Sequence, residues 1–266
     1  MATISTDGFR QLADLSEGER HAVRRLFDGH PVFQLYLEAG LASVSGGDRS
    51  RTILVGRKGI GAALGIEFDD VTVRTIVGSL DPDELVVACS VDRSAELHVA
   101  ASLRERIVAL CGGRVVADQN IRYYLRPIED EPMPDPRCRR LGEADYEVVA
   151  ALYRAHHSAT IFSRWMLDDL QVGLFDDARI VACGGVIARH AGLSIANLGN
   201  FVTVPERRGR GMARIVMGAL LSALAVDGIR LATLGATAEN QAACRSYEAM
   251  GFVLLEERAE LVVCPE

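Results

Sequence analysis

The chain has 266 residues, 49% hydrophobic and 24% charged, with a formal net charge of -7 and a pI near 5.5. That length suits two compact domains of roughly 100–150 residues, each able to bury a core, and the acidic balance excludes a general basic field, so no nucleic acid partner is expected. The longest apolar run, residues 215–226, falls short of the roughly 20 residues of a membrane span, so no membrane partner is expected either.

Six scattered cysteines lack a C-x-x-C pair and metal-ligand spacing, which fits small buried hydrophobes in a reducing compartment, with no metal expected. Residues 1–7 are polar and carry no basic stretch followed by an apolar core, so a cytoplasmic protein is expected.

In chain order, the first fifty residues look helical, with ill-defined borders. Residues 51–55, 62–68, 71–77 and 85–91 are short apolar or β-branched runs separated by Gly and Asp, which predicts a meander of strands. A helix is expected next, with Ser94 as N-cap. Leu97, Ala100, Ala101, Leu103, Ile107, Val108 and Leu110 recur at helical spacing until Gly112-Gly113 stops it. Residues 114–125 then form a strand pair or one bent strand. Residues 126–136 hold four prolines and four acidic residues, which exclude helix and sheet interior. This stretch reads as an extended linker, giving a domain at 1–127, a linker at 128–136 and a domain at 137–266.

Past the linker come a short start at 138–141, helical patterns at 143–157 and near 163–171, and strands at 173–175 and 179–188 around a hairpin turn at Asp176-Asp177. Strands are expected at 194–204 and 229–235, with one or two more at 252–263. Helices at 211–227 and 240–250 lie between them. Both halves repeat helices, meander, helix and terminal strands, the order of a duplicated α/β (α+β) fold.

The chemistry concentrates where the strand ending at Phe201-Val202-Thr203-Val204-Pro205 meets a helix through Arg208-Gly209-Arg210-Gly211-Met212-Ala213. Backbone N–H groups of such a turn, with the unpaired donors of a helix start, suit an anion such as a pyrophosphate. Glycine leaves room for close approach of the phosphate, and Ala213 is the next smallest choice. In the following helix Arg214, Gly218 and Ser222 form a small or polar stripe, while Ile215, Val216, Ala219, Leu220 and Ala223 face a core.

These residues resemble the GNAT superfamily of N-acetyltransferases. Arg208, Gly211 and Ala213 match its R/Q-x-x-G-x-G/A motif, and Asn240, Tyr247 and Gly251-Phe252 match a second segment. The resemblance covers about Cys138 to the C-terminus, and the first half matches in outline only. It implies two GNAT-like domains, each a mixed, mostly antiparallel sheet flanked by helices, the first a degenerate copy. It further implies acetyl-CoA as cosubstrate, with Phe201, Val202 and Thr203 offering backbone groups to the pantetheine arm. Arg208, Gly209, Arg210, Gly211, Met212, Ala213 and Arg214 would hold the diphosphate, Asn240 would contact the cofactor, and Tyr247 would protonate the departing thiolate. The acceptor implied is a small-molecule or peptide amine, and a homodimer is left open.

Several readings stay open beside these. Asn240 is a good helix N-cap, Tyr247 a good core residue, and the arginine-rich turn an ordinary basic surface. The base is not identified: Gly235 stands where several relatives carry a glutamate, and His156 and His157 are candidates by residue type alone. Arg57-Lys58-Gly59-Ile60-Gly61-Ala62 imitates the phosphate turn but leads into a strand-like run, so a hairpin is expected there. Glu67, Asp69 and Asp70 beside it fit a solvated strand end, with a face toward a cationic acceptor as the alternative. A non-catalytic acyl-CoA sensor is one rival reading of the whole chain, and a nucleotide-phosphate binder that uses the same turn is a second.

Overall fold

The computed structural model describes residues 9–11, 16–45, 51–56, 58, 60–68, 71–89, 94–129, 131–157 and 160–265. Arg57, Gly59, Asp69 and Asp70 lie outside the described residues. The chain divides into two compact units, residues 1–122 with 237–239 and 256–266, and residues 123–236 with 240–255.

The first unit contains β1 (Phe9–Gln11), α1 (Glu17–Arg25), α2 (Pro31–Ser45), β2 (Arg51–Gly56), β3 (Gly61–Glu67), β4 (Val71–Gly78), α3 (Pro82–Cys89), β5 (Ser94–Val99), α4 (Arg104–Cys111) and the start of β6 (Val115–Pro127). Strands β1 to β5 pair in sequence order, antiparallel except for the parallel β4–β5 pair. Leu85 of α3, Ile107 of α4, Ile76 and Leu97 bury fully in one core. The hairpin expected near residue 60 is present as the β2–β3 connection.

The second unit holds the end of β6, then β7 (Cys138–Arg140), α5 (Tyr146–His156), β8 (Gln171–Asp176), β9 (Arg179–His190), β10 (Ile195–Thr203), α6 (Met212–Val226), β11 (Leu231–Thr237), α7 (Gln241–Ala249) and the start of β12 (Val253–Val263). Its strand order is β11-β10-β9-β8-β7, parallel between β10 and β11 and antiparallel elsewhere. The turn at Asp176-Asp177 is the β8–β9 hairpin, with Asp177 at a φ of 52°. Helix α6 buries Val216, Met217, Leu220, Leu221 and Leu224. Both units are mixed, mostly antiparallel sheets with helices, as the repeated element order implies.

Besides the short strand β1, which lies within the first fifty residues expected to be helical, three expected elements differ. The strand expected at 85–91 is helical over its described residues, because Asp81-Pro82-Asp83-Glu84 is a helix start: proline takes the first helical position and the Glu84 carboxylate accepts from Asp81 N–H at 2.9 Å. The helix expected from Ser94 is a strand up to Val99 and helical from Arg104. Ala95, Leu97 and Val99 are fully buried at period two, which aligns β5 with β4 on one side and β12 on the other. Finally, the helix expected near 163–171 shortens to a 3-10 turn at Arg164–Asp168, and Gln171 opens β8.

The proline-rich stretch joins the second unit, where Ile128 is buried and Glu131 pairs with Arg126 at 2.9 Å. Strand β12 is a single long strand, and its residues 256–266 belong to the first unit.

Candidate functional site

Strands β10 and β11 run parallel with Ile195 to Leu198 registered against Leu231 to Leu234. Beyond that register both continue, β10 to Thr203 and β11 to Thr237, with no further residue of one registered against the other. A buried polar clasp closes the paired end: Asn197 Nδ2 donates to Thr233 Oγ1 at 3.0 Å, and that hydroxyl donates to the Ala196 carbonyl at 3.3 Å.

The parting of the strands has a local cause on β10. Its register with β9 shifts between Gly199 and Val202, so Asn200 and Phe201 oppose Gly184 alone, and Asn200 adopts a φ of 57°. This is a β-bulge, which bends a strand and re-aims its side chains. Gly184 is required there, because a Cβ would collide with the Phe201 ring. Two bonds from other elements pin the bulge. Tyr153 of α5 donates its hydroxyl to the Asn200 carbonyl at 2.7 Å, and Asn200 Nδ2 donates to the Ile161 carbonyl at 2.9 Å. Cys183 Sγ–H donates to the Tyr153 oxygen at 3.4 Å, and burial pushes that thiol up to about 12.

From the end of β10 the chain makes a 3-10 turn at Pro205–Arg207 and enters α6 with Gly211 as N-cap. Gly209 and Gly211 both have positive φ, 72° and 77°, a conformation that costs other residues about 1–2 kcal/mol. The N-cap carries no side-chain bond and the first turn of α6 has no acidic residue. Among the described residues, the backbone N–H groups of Gly209, Arg210, Gly211, Met212 and Ala213 make no hydrogen bond. Arg214 N–H, by contrast, already bonds Gly211 O at 3.0 Å. One exposed turn thus presents a run of unpaired donors at the positive end of a 15-residue helix.

The arginines of this turn divide by task. Arg207 pairs with Asp176. Arg208 turns its guanidinium onto backbone, Nε to Thr203 O at 3.1 Å and Nη2 to His156 O at 3.4 Å, so it shapes the turn. Arg210 and Arg214 are exposed and make no ion pair among the described residues. The Arg214 guanidinium folds back to within 3.3 Å of where a Gly211 Cβ would stand, at the mouth of the amide run.

Tyr247 on α7 is 7% exposed and sits in an aromatic box of Tyr124, Phe201 and Phe252, with ring centroids 6.0, 6.2 and 6.3 Å away. Burial raises its phenol above the ordinary value, so it is protonated at neutral pH. The structure therefore brings Tyr247 to Phe201, at the parted end of β10. Asn240 caps α7, its Oδ1 accepting from Ala243 N–H at 3.1 Å. The exposed His157 engages Thr160 through Nδ1 at 2.5 Å, and His156 meets the turn through its carbonyl. Tyr153 and the bulge at Asn200 escaped the sequence reading. A tyrosine at a core position of an amphipathic helix looks like packing, and the partner it locks lies 47 residues on.

Among the described residues, the first unit lacks this arrangement at its own parallel pair. Between β4 and α3 the amide of Asp81 is already taken by Glu84, and the first turn of α3 carries Asp83 and Glu84. A helix start capped by its own carboxylates repels an anion.

Comparison with known proteins bears on the fold. The FR47-like protein family matches residues 171–261. No curated protein matches the sequence. A Drosophila protein of known structure is similar over 97% of this chain and 98% of its own, at 16% identity and a TM-score of 0.71. A GCN5-related N-acetyltransferase-like protein from Streptococcus suis covers 92% and 99% at 15% identity and a TM-score of 0.63. A tandem GNAT protein from the clavulanic acid biosynthesis pathway covers 96% and 98% at 14% identity and a TM-score of 0.58. With the FR47-like segment spanning β8 to β12 and a tandem relative matching nearly end to end, the chain has the fold of the GNAT superfamily of N-acetyltransferases.

Proposed function

We propose that the second unit is an N-acyltransferase that moves an acetyl group from acetyl-CoA to a primary amine by direct attack within a ternary complex. The observation that carries this reading is the run of unpaired amides from Gly209 to Ala213 at the start of α6. The donor set fits a pyrophosphate: five N–H groups without partners, two glycines with positive φ, and the unpaired guanidinia of Arg210 and Arg214 nearby. A Cβ at Gly211 would press on Arg214 and strain the turn.

Bound there, acetyl-CoA would supply an acyl group activated as a thioester. Gly209, Arg210, Gly211, Met212, Ala213 and Arg214 would hold its diphosphate, with Arg208 keeping the turn in shape. The backbone of Phe201, Val202 and Thr203, freed from β11, is available to an extended pantetheine arm. Asn240 caps α7 and so fixes Tyr247, which would hold its proton at Oη for the departing sulfur. The acceptor amine has to arrive unprotonated or lose its proton to a base. A small-molecule or peptide amine is the acceptor class proposed, and a reducing, cytoplasmic setting suits six cysteines that all remain free.

Gly235 on β11 has no side chain to act as base, which favours a second reading in which the same turn binds acyl-CoA without consuming it. A panel of amines assayed for free thiol separates the two. Steady thiol release with one amine class, above the rate of thioester hydrolysis, is expected for the transferase. Cofactor binding with no release across the panel would leave the sensor.

A further inference from the structure

The first unit holds three ligand-type side chains that the proposed transferase chemistry does not use. Glu96 and His98 stand two residues apart on β5 and so share one face of the sheet. Glu260 lies directly opposite His98 in the β5–β12 register, on the same face. His98 is also the last residue registered between β5 and its parallel neighbour β4, where Thr75 faces it. One imidazole nitrogen meets both carboxylates: His98 Nε2 is 2.7 Å from Glu96 Oε1 and 3.3 Å from Glu260 Oε2.

We propose that Glu96, His98 and Glu260 form a divalent metal site of the zinc type in the first unit. Geometry supports it first. The three ligand atoms all lie within 4.8 Å of one another. Ligands about 2.1 Å from a tetrahedral zinc stand roughly 3.4 Å apart. The Nε2 to Glu260 separation of 3.3 Å already has that value. Glu96 has to back away by about 0.7 Å to reach the same spacing. It is free to do so, because its side chain is 25% exposed while those of His98 and Glu260 are 10% and 7% exposed. The same exposure leaves a side of the site open to water as a fourth ligand.

Charge supports it second. Two carboxylates and a neutral imidazole carry two negative charges into a largely buried site. A shared proton cancels one of them, and a divalent cation cancels both. The second layer is in place as well, since Gln119 Nε2 donates to Glu260 Oε1, the oxygen that does not face His98. Ligating carboxylates are held in this way in established sites. Bound metal would tie β5 to residues 256–266, which complete the sheet of the first unit. The proposal is independent of the acyltransferase reading, since none of its residues belongs to the turn or to the Tyr247 box.

The test uses the full chain, stripped with EDTA and dialysed. Calorimetric titration with Zn2+ is expected to give one equivalent per chain and a raised melting temperature. Co2+ in its place is expected to give the visible bands of a four-coordinate nitrogen and oxygen site, without the near-ultraviolet charge transfer of a thiolate. Glu96→Gln keeps size and sits at the exposed side, so the fold should survive, and it is expected to weaken binding by about tenfold or more. His98→Gln is expected to abolish the Co2+ bands, and if that variant does not fold, Glu96→Gln decides alone. No saturable Zn2+ binding, a thiolate spectrum, or unchanged affinity in Glu96→Gln would each overturn the proposal.

Discussion

Replacing Tyr247 by Phe deletes one hydroxyl and leaves a ring of the same shape among Tyr124, Phe201 and Phe252, so packing is nearly conserved. An acid at that position contributes about 10²–10⁴ to the rate. A thiol with an ordinary pKa of about 8.5 leaves partly without help, so the expected loss is at the lower end, about a hundredfold in kcat with unchanged acetyl-CoA affinity. The direction of the Tyr247 shift fixes the pH behaviour. Burial raises a phenol that ordinarily titrates near 10, so the proton stays on through neutral and mildly alkaline pH. The wild-type rate should therefore show no falling limb from this group below about pH 10. Turnover measured against pH for both proteins checks the point, and matching rates throughout would return Tyr247 to a packing role.

At the scale of elements, the site depends on how β10 is bent and how α6 begins. Tyr153 on α5 locks the bulge through the Asn200 carbonyl, and its ring packs at a centroid distance of 4.9 Å from Phe162. Tyr153→Phe keeps the ring and removes the bond, which should lower stability by about 1 kcal/mol. Because the bulge sets where Phe201 stands, turnover should fall by more than a global loss of that size explains. Chemical denaturation and steady-state kinetics on the same variant give both numbers, and normal turnover would show that the bulge holds itself. The turn was legible in the sequence because its cause is local: glycine spacing, a strand end before it and an amphipathic run after it. The bulge was not, since a two-against-one register exists only once β9 and β10 pair. The same distinction explains the misassigned elements. The run Leu85-Val86-Val87-Ala88 looks strand-like by itself, and only the Asp81 to Glu84 cap marks it as helix. Ser94 to Leu110 satisfies helical spacing, yet its first six residues bury alternate side chains against two neighbouring strands.

Within the whole molecule, chain order and unit membership do not coincide. Residues 256–266 belong to the first unit, where Ala259, Leu261 and Val263 are fully buried and pair with Val99, Leu97 and Ala95. Burying a large aliphatic side chain stabilises by about 1.5–3 kcal/mol. A chain ending at Leu255 should accordingly lose several kcal/mol from the first unit, seen as rapid hydrogen exchange of β5 amides. Protection of β5 equal to that of the full chain would mean this strand is dispensable. The duplication was legible as a repeated order of elements, whereas the return of the last strand to the first unit has no sequence signal, because it is a long-range pairing.

The central claim is that the turn before α6 is the acyl-CoA site. The direct measurement is thermal unfolding of the full chain and of Gly211→Val, each with and without acetyl-CoA. A ligand at about a hundred times its Kd stabilises the native state by about 2.7 kcal/mol, so the wild type should show a clear rise in Tm. Valine at a φ of 77° strains the turn and places a branched Cβ against Arg214, so the unliganded Tm should fall modestly and the rise should vanish. An undiminished shift in Gly211→Val would contradict the account, because acetyl-CoA would then be bound somewhere other than this turn.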